Sequence, residues 1–379
     1  MKRYNQGNFI REQADTDFEY QYFMPSLLPD VFEFDDPNIN VLLEDATQKL
    51  GELNAYSLLT PDIDFFIKMH EVKEATESSR IEGTRTNVDE AVMDEEDVEP
   101  EKRDDWREVQ NYVKALNFAI DKMQTLPLAT RLIKETHAVL LSGVRGENKT
   151  PGEIRKSQNW IGGETIKDAR FVPPLYTEID RYLSDLDHYL NDKALSTPIL
   201  IKAAIAHYQF ETVHPFLDGN GRMGRLLIVL YLINKDKLSR PVLYLSDYFS
   251  KHRQGYYSAL DAVRYDGDLE HWVKFFLVAV ADTAKASCET LQKIIELREK
   301  TSAKIIANGK MVQNSTKIID AMYSRPVMSV NEMANKMEVS YQAASKIAKE
   351  LMSLGILGEI AGAQRGRNYA FREYLELFM

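Results

Sequence analysis

The stretch His214-Pro215-Phe216-Leu217-Asp218-Gly219-Asn220-Gly221-Arg222-Met223-Gly224-Arg225 lies between an apolar segment, Ile199 to Phe210, and a still more apolar one, Leu226 to Ile233. Both flanks read as buried helices, so the polar residues between them line a turn held by a core. Gly219 and Gly221 allow positive φ and close approach of other groups just where the second helix begins. Free N–H groups at a helix N-terminus, together with the helix dipole, make an anion site. Arg222 and Arg225 are three apart in the first turn and share a face, from which guanidinium groups can clamp phosphate oxygens. Asp218 stands beside this nest, where a carboxylate is best used as a Mg²⁺ ligand. His214, four residues earlier, has a side chain suited to taking a proton from an attacking hydroxyl. Phe216 reads as the anchor of the loop. A simple interhelical turn needs only the glycines and a capping acid. The histidine and both arginines at these offsets instead suit nucleotidyl or phosphoryl transfer.

Composition narrows the classes of function. The 379 residues include 47 basic and 58 acidic side chains, a formal charge of −11, with 44% hydrophobic and 28% charged residues. That is ordinary globular composition. The longest unbroken apolar run, Leu226 to Ile233, is far short of the ~20 residues that span a bilayer, so no membrane partner is expected. Met1-Lys2-Arg3-Tyr4-Asn5-Gln6 leads into polar sequence without the apolar core of a secretory signal. One cysteine, Cys288, excludes an internal disulfide framework and a cysteine-built zinc site, and a reducing cytoplasmic setting is expected. The acidic balance argues against coating of nucleic acid by the whole molecule.

Working outward, helical periodicity dominates, and the expected fold is mainly α. Residues 1–105 form an N-terminal region, irregular over 1–56, with a helix over about 60–83. Thr60 reads as its N-cap, Pro61 as its first residue, Asp62 and Asp64 as acids complementing its dipole, and Gly83 as its stop. The acids among residues 89–101 (Asp89, Glu90, Asp94, Glu95, Glu96, Asp97, Glu99 and Glu101) read as a solvated linker or helix face. Residues 106–290 form a helical core with helices at 106–124, 129–141, 175–190, 198–211, 223–235, 252–264 and 269–285. Within it, about 143–174, Asn159-Trp160-Ile161-Gly162-Gly163 and Ala169-Arg170-Phe171-Val172-Pro173 read as a short β-hairpin flap. Another helix, 289–308, supplies a connection over 291–311. Residues 312–379 carry a helix, a helix-turn-helix over Val330–Met337 and Tyr341–Leu354, and two strands around Gly362, Arg365 and Gly366. This order resembles a winged-helix (α+β) domain.

The His214–Arg225 run matches the Fic family motif H-x-F-x-(D/E)-G-N-G-R-x-x-R at every specified position, and the resemblance extends over about residues 60–290. Fic proteins are mostly protein adenylyltransferases, which move AMP from ATP to a Ser, Thr or Tyr hydroxyl of a target protein. The resemblance implies that His214 is the catalytic base and that Asp218 holds Mg²⁺. It also implies that Gly219, Asn220 and Gly221 form the anion hole, and that Arg222, Met223, Gly224 and Arg225 complete the ATP site. Members with another donor orientation, such as the Doc kinases, depart at these residues. Ser78-Ser79-Arg80-Ile81-Glu82-Gly83 resembles the family's inhibitory motif (S/T)-x-x-x-E-(G/N). Glu82 in a last helical turn faces the negative pole of the dipole, which a cationic partner would relieve, and the resemblance makes Arg225 that partner. Glutamate engagement there prevents seating of the ATP γ-phosphate, so Ser78, Glu82, Gly83 and Arg225 are expected to build an autoinhibitory contact. Glu82 borders the ATP site. Asn159, Trp160, Ile161 and Gly162 resemble the flap that docks a target by strand addition. Tyr256 and Tyr257 stand near the family's adenine pocket, as stacking faces or as core. Arg253 reads as a phosphate contact or a solvated side chain. His207 reads as structural, and of the histidines only His214 stands in a chemical constellation.

The tail, residues 312–379, has eight basic and seven acidic side chains, hence +1 against −12 for the remainder. Gln342, Ser345, Lys346 and Lys349 are recognition-helix candidates, and Arg365 and Arg367 wing candidates. Such domains also dock proteins or mediate dimerisation. Expected partners are therefore ATP, a protein with a modifiable hydroxyl and, as open alternatives, a homodimer mate or DNA. Two functions follow: an autoinhibited adenylyltransferase that transfers AMP, with removal of AMP as an open alternative within the same enzyme class, or a transcriptional or toxin-control regulator that binds DNA and has a weakly active core. If His214 must be neutral to act, transfer is expected to fall below pH ~6.5, the unperturbed histidine value.

Overall fold

The computed structural model describes residues 5–13, 19–29, 31–60, 63–192, 196–360 and 368–379. The helices in chain order are α1 (Asn38–Leu59), α2 (Ile63–Ile81), the single turn α3 (Val88–Ala91), α4 (Arg103–Lys122), α5 (Thr130–Leu140), α6 (Ile179–Asn191), α7 (Ile199–Val213) and α8 (Asn220–Asn234). They continue as α9 (Ser246–Lys251), α10 (Arg253–Asp266), α11 (Leu269–Asn308), α12 (Val312–Ser324), α13 (Val330–Met337), α14 (Tyr341–Ser353) and α15 (Arg372–Leu375). The protein is mainly helical, as expected.

The centre is the pair α7 and α8, buried on nearly every side. That is why both segments are apolar without a polar stripe. Around the pair pack α2, α4, α5, α6 and α11. Trp272 of α11 is fully buried and its indole N–H donates to the Ala204 carbonyl of α7 at 2.8 Å, satisfying the one polar atom its burial would orphan. The loop between α7 and α8 therefore emerges from the most rigid part of the molecule.

Several expectations are corrected. Over the described residues of 1–56, regular elements stand where irregular chain was expected. Strands β1 (Gly7–Glu12) and β2 (Tyr20–Pro25) pair antiparallel with Phe9 opposite Phe23, and the Phe23 N–H donates to the Val172 carbonyl of the flap. The long helix α1 follows. Its Ile39, Ala46, Leu50 and Leu53 are buried along α11, a helical spacing that was readable, although Pro37 at the N-cap offers no capping side chain. Thr60 closes α1 instead of opening α2: its hydroxyl donates back to the Tyr56 carbonyl at 2.7 Å. Pro61 and Asp62 lie outside the described residues. The helices expected at 269–285 and 289–308 are one 40-residue helix, α11, because Ala286-Ser287-Cys288 contains no breaker. The helix thus runs unbroken through position 290. The flap has a single bridge, Ile161 with Phe171, rather than regular strands. The acidic stretch is not a free linker. Glu95 pairs with Arg107 and Glu90 with Lys102, while Asp94 and Asp97 reach Arg325 and Asn368 at 2.7 Å.

In the C-terminal unit, α12, α13 and α14 pack with a three-stranded antiparallel sheet in the order β3 (Val327–Ser329), β5 (Asn368–Ala370), β4 (Gly358–Ile360). Ser329 opens α13 with a capping box, its hydroxyl accepting from the Glu332 N–H while Glu332 accepts from the Ser329 N–H. Gly362, Arg365, Gly366 and Arg367 lie outside the described residues. This unit rests on α2: Tyr323 meets Phe66 edge-on at 5.2 Å and Phe378 meets His70 at 5.1 Å. Phe66 is 1% exposed, so Phe66→Ala is expected to cost about 3–5 kcal/mol, read as a lowered urea midpoint for the full chain.

Candidate active site

The loop is built from the end of α7 outward. His214 closes α7 in the left-handed region, φ +50 and ψ +60, with its N–H donating to the Phe210 carbonyl at 3.0 Å. A β-carbon makes that conformation unfavourable by about 1 kcal/mol or more, so neighbours must hold it. Arg155 does so. Its own N–H donates to the Pro215 carbonyl and its Nε to the His214 carbonyl, both at 3.0 Å, and its guanidinium also bonds the carbonyls of Ser157 and Pro174. Burial draws the Arg155 pKa down to about 10, leaving it charged at neutral pH. Sequence reasoning missed it, since nothing in the spacing ties residue 155 to 214.

The middle of the loop is pinned from two sides. Asn220 is 2% exposed; its Oδ1 accepts from the Phe216 N–H at 2.9 Å and its Nδ2 donates to the Phe216 carbonyl at 2.8 Å. Its side chain is engaged in shaping the loop. Asn159 of the flap donates to the same Phe216 carbonyl at 3.0 Å. The His137 ring lies flat on Phe216, centroids 3.7 Å apart. Its Nδ1 accepts from the Gly152 N–H at 2.8 Å, which assigns the proton to Nε2, 2.9 Å from the Asp218 carbonyl. Gly219 then turns at φ +75, and a β-carbon there would crowd His137 and Leu141. His137 thus belongs to the site as a support, a role absent from the sequence expectations.

The two arginines are not open clamps. Arg222 and Arg225 are each 2% exposed. Nη1 of Arg222 pairs with Glu108 of α4 at 2.7 Å, and Arg145 shares that carboxylate at 3.2 Å. Arg225 donates through Nε to the Ser78 hydroxyl at 2.8 Å, and through Nη2 to the Ser78 carbonyl at 2.9 Å and to Glu82 Oε1 at 2.7 Å. Burial alone would raise the Glu82 pKa. The charge and hydrogen bond of Arg225, with Arg222 and His214 behind, outweigh it and hold the carboxyl below its usual range. A β-carbon on Gly221 would overlap the Glu82 carboxylate, so this anion lies against the first turn of α8. Gly83 follows at φ +104, and Arg253 donates to the Ile81 carbonyl at 2.9 Å, capping the end of α2.

Met223 is wholly in the core, and a β-carbon on Gly224 would strike Glu211 and Phe210; both back the cradle from inside. Asp218 is half-exposed, with Oδ1 accepting from the Gly219 N–H at 2.6 Å and lying 3.8 Å from Arg222. A lone carboxylate beside an anion cradle fits Mg²⁺, which takes one or two carboxylates and completes its shell with phosphate and water. Among the described residues no cluster of three or more potential protein ligands occurs.

Tyr256 is core. It is 1% exposed, stacks on Phe249 at 4.5 Å and shares a 2.8 Å hydrogen bond with His207, whose other nitrogen meets the Gly224 carbonyl. Of the two expected alternatives, stacking face or core, its burial fits the core. Tyr257 is half-buried, with Arg170 and Arg253 near its ring. Trp160 of the flap is 41% exposed, while Ile161 and the positive-φ Gly162 carry the bridge turn.

Comparisons with known proteins agree with this geometry. Residues 127–232 match the Fic/DOC family, and residues 41–121 match the Fic/DOC family N-terminal region. The chain therefore carries Fic/DOC family domains. Protein adenylyltransferase fic-1 of Caenorhabditis elegans is 29% identical over 195 residues, 51% of this chain and 32% of that protein. Protein adenylyltransferase Fic of Aedes aegypti is 34% identical over 126 residues, 33% of this chain and 22% of that one. The chain thus spans about a third or less of these curated relatives. Among solved structures, a Fic family protein from Desulfovibrio desulfuricans G20 shares the fold with a TM-score of 0.57 at 20% identity, over 89% of this chain and 97% of that chain. Fic-1 of C. elegans aligns with a TM-score of 0.51 at 22% identity, over 69% of this chain and 73% of that one.

Replacing Asn220 with Ala leaves the buried Phe216 N–H without its partner and the Phe216 carbonyl with Asn159 alone. Asn220→Ala is expected to lower stability by about 1–3 kcal/mol, measured by urea unfolding, and to lower any activity that needs the loop.

Proposed function

We propose that the protein is a self-inhibited adenylyltransferase that transfers AMP from ATP to a hydroxyl of a target protein. The observation that carries this reading is the seat of Glu82. A carboxylate of the protein itself lies where Arg225 and the first turn of α8 converge on an anion, the place where a terminal phosphate of ATP would otherwise be held. The names of the relatives, protein adenylyltransferases, support the same chemistry.

In this mechanism the target hydroxyl oxygen attacks the α-phosphorus. A new P–O bond forms, the bond to the bridging oxygen of the β-phosphate breaks, and pyrophosphate leaves. The hydroxyl proton goes to His214. Its Nδ1 faces the Glu211 carbonyl at 3.4 Å, leaving Nε2 to accept. Asp218 would hold Mg²⁺, which supplies charge neutralisation on the phosphates when bound. Arg225, once parted from Glu82, would hold the outer phosphate, and Arg222 with Glu108 stiffens the cradle. The flap around Trp160 would present the target segment to His214.

The C-terminal unit, read as a winged helix, leaves Gln342, Lys346 and Lys349 solvent-exposed on α14 as a docking face for the target or for DNA. No helix among the described residues is long and apolar enough to cross a membrane, and the one cysteine, Cys288, is free, in keeping with the proposed cytoplasmic setting.

Labelling with α-³²P ATP, Mg²⁺ and cell extract tests the reading. Glu82→Gly should raise label transfer, and His214→Ala should reduce it by about 10²–10⁴-fold, the worth of a general base. DNA binding with no label in any variant would favour the regulator instead.

The pH profile differs from the sequence expectation. Burial first, then the charges of Arg155 and Arg264, draw the His214 pKa down to about 4. A depressed histidine is neutral above that value, so the base is available across the neutral range and is lost only as pH falls towards 4. Transfer by Glu82→Gly protein should be level from pH 6 to 8 where histidine is concerned; a drop centred near pH 6.5 would show an ordinary, solvated imidazole.

A further inference from the structure

Arg145 is the exposed third member of an otherwise buried ion pair. Glu108 is 0% and Arg222 2% exposed. Their contact at 2.7 Å, Oε2 with Nη1, already gives each buried charge its opposite. Arg145 brings a second guanidinium to the same carboxylate, Nε to Oε1 at 3.2 Å, with 58% of its side chain exposed. Two cations thus share one anion. Among the described residues Arg145 has no partner besides Glu108. Asp218 stands 3.8 Å from Arg222, but on the proposed reading its carboxylate is turned to Mg²⁺. The cluster is then left with a positive charge at its solvent rim.

The fold fixes where that rim lies. The loop after α5 is gripped by one face of α4: Asn111, three residues beyond Glu108 and so on the same face, donates to the Ser142 carbonyl at 2.6 Å. Val144 is buried. Gly146 then turns at φ +97, a conformation a side chain would strain, and a β-carbon there would come within 2.7 Å of Asp218 Oδ2. The backbone next to Arg145 therefore lies directly on the Asp218 carboxylate. A half-exposed guanidinium one residue from that contact, tied to Arg222 through Glu108, stands at the mouth of the anion cradle.

We propose that Arg145 is a further phosphate-binding residue, which takes the pyrophosphate portion of ATP on the Asp218 side of the cradle. The proposal rests on the adenylyltransferase reading above and deepens it by adding a residue from outside the His214–Arg225 run. Glu108 anchors Arg145 through Nε, and the terminal nitrogens meet phosphate oxygens as a fork. The leaving group gains negative charge as its bond to the α-phosphorus breaks, and a fixed cation there stabilises that charge.

Calorimetry on full-length Glu82→Gly protein with Mg²⁺ tests the assignment. Adding Arg145→Ala should weaken ATP and pyrophosphate about tenfold each, the lower end for a hydrogen bond to a charged group, and leave AMP unchanged. The KM for ATP in label transfer should rise by the same factor. Arg145→Gln keeps a donor for Glu108 without the charge and should show the same loss; it decides alone if the Ala variant does not fold. Arg131, an exposed arginine of α5 paired with Glu135, is the control, and Arg131→Ala should change neither affinity. The assignment is overturned if the Arg145 variants bind ATP and pyrophosphate as tightly as their parent, or if Arg131→Ala causes an equal loss. It is also overturned if AMP weakens as much as ATP and the urea midpoint falls, the mark of a structural role. In those cases the parent still binds ATP, and the adenylyltransferase reading stands without Arg145. If the Glu82→Gly parent neither binds ATP nor transfers label, that reading falls and the assignment falls with it.

Discussion

A guanidinium that is 2% exposed cannot remain unpaired, and Arg225 is the group around which this molecule is arranged. It stands on the first turns of α8, one of the two central buried helices, and its partners come from the end of α2 and the residue after it, remote in sequence. Ser78 takes Nε and Glu82 takes Nη2. The buried cation calls for an anionic partner, and Glu82 supplies one. On the proposed reading, Glu82 and a phosphate are competing ways of satisfying the same charge, and that competition is the regulation.

The loop that presents Arg225 to its partners shows the same economy. His214 is held in an unfavourable backbone conformation by Arg155, and Phe216 is fixed by Asn220, Asn159 and His137. Each of these donors satisfies a backbone group that would otherwise be buried without a partner. The histidine and the glycine turn are thus preorganised before any ligand arrives, which is the condition for electrostatic catalysis to be effective.

Much of this was legible in the chain. The His214–Arg225 run and the Ser78–Gly83 motif have local signatures, so both were identified and the Arg225 contact with Ser78 and Glu82 is present. Helix α13 was read to the residue because Ser329 and Glu332 form a capping box. What was not legible depends on contacts across the fold. Arg155, His137 and Glu108 act through partners 59, 81 and 114 residues away, and no periodicity encodes such pairs. The chain leaves Tyr256 open between a stacking face and core, because a tyrosine pair on a helix suits either; burial and the His207 bond place it inside. Helix α1 was passed over because Pro37 gives no capping signal, and α11 was divided where only small residues, not breakers, occur.

The unbroken course of α11 has a mechanical consequence. Forty residues of helix extend about 60 Å at 1.5 Å per residue, and α1 is splinted along it from the Asp36–Lys274 pair at one end to the Tyr56–Gln292 bond at the other. A soft tether would let the distal unit wander and dilute whatever it grips. A strut does the opposite: on the proposed reading, a partner docked on the C-terminal unit, which also rests on α2, would arrive at one fixed distance and bearing from the loop, so reach and aim would be properties of the skeleton and not of chance encounter.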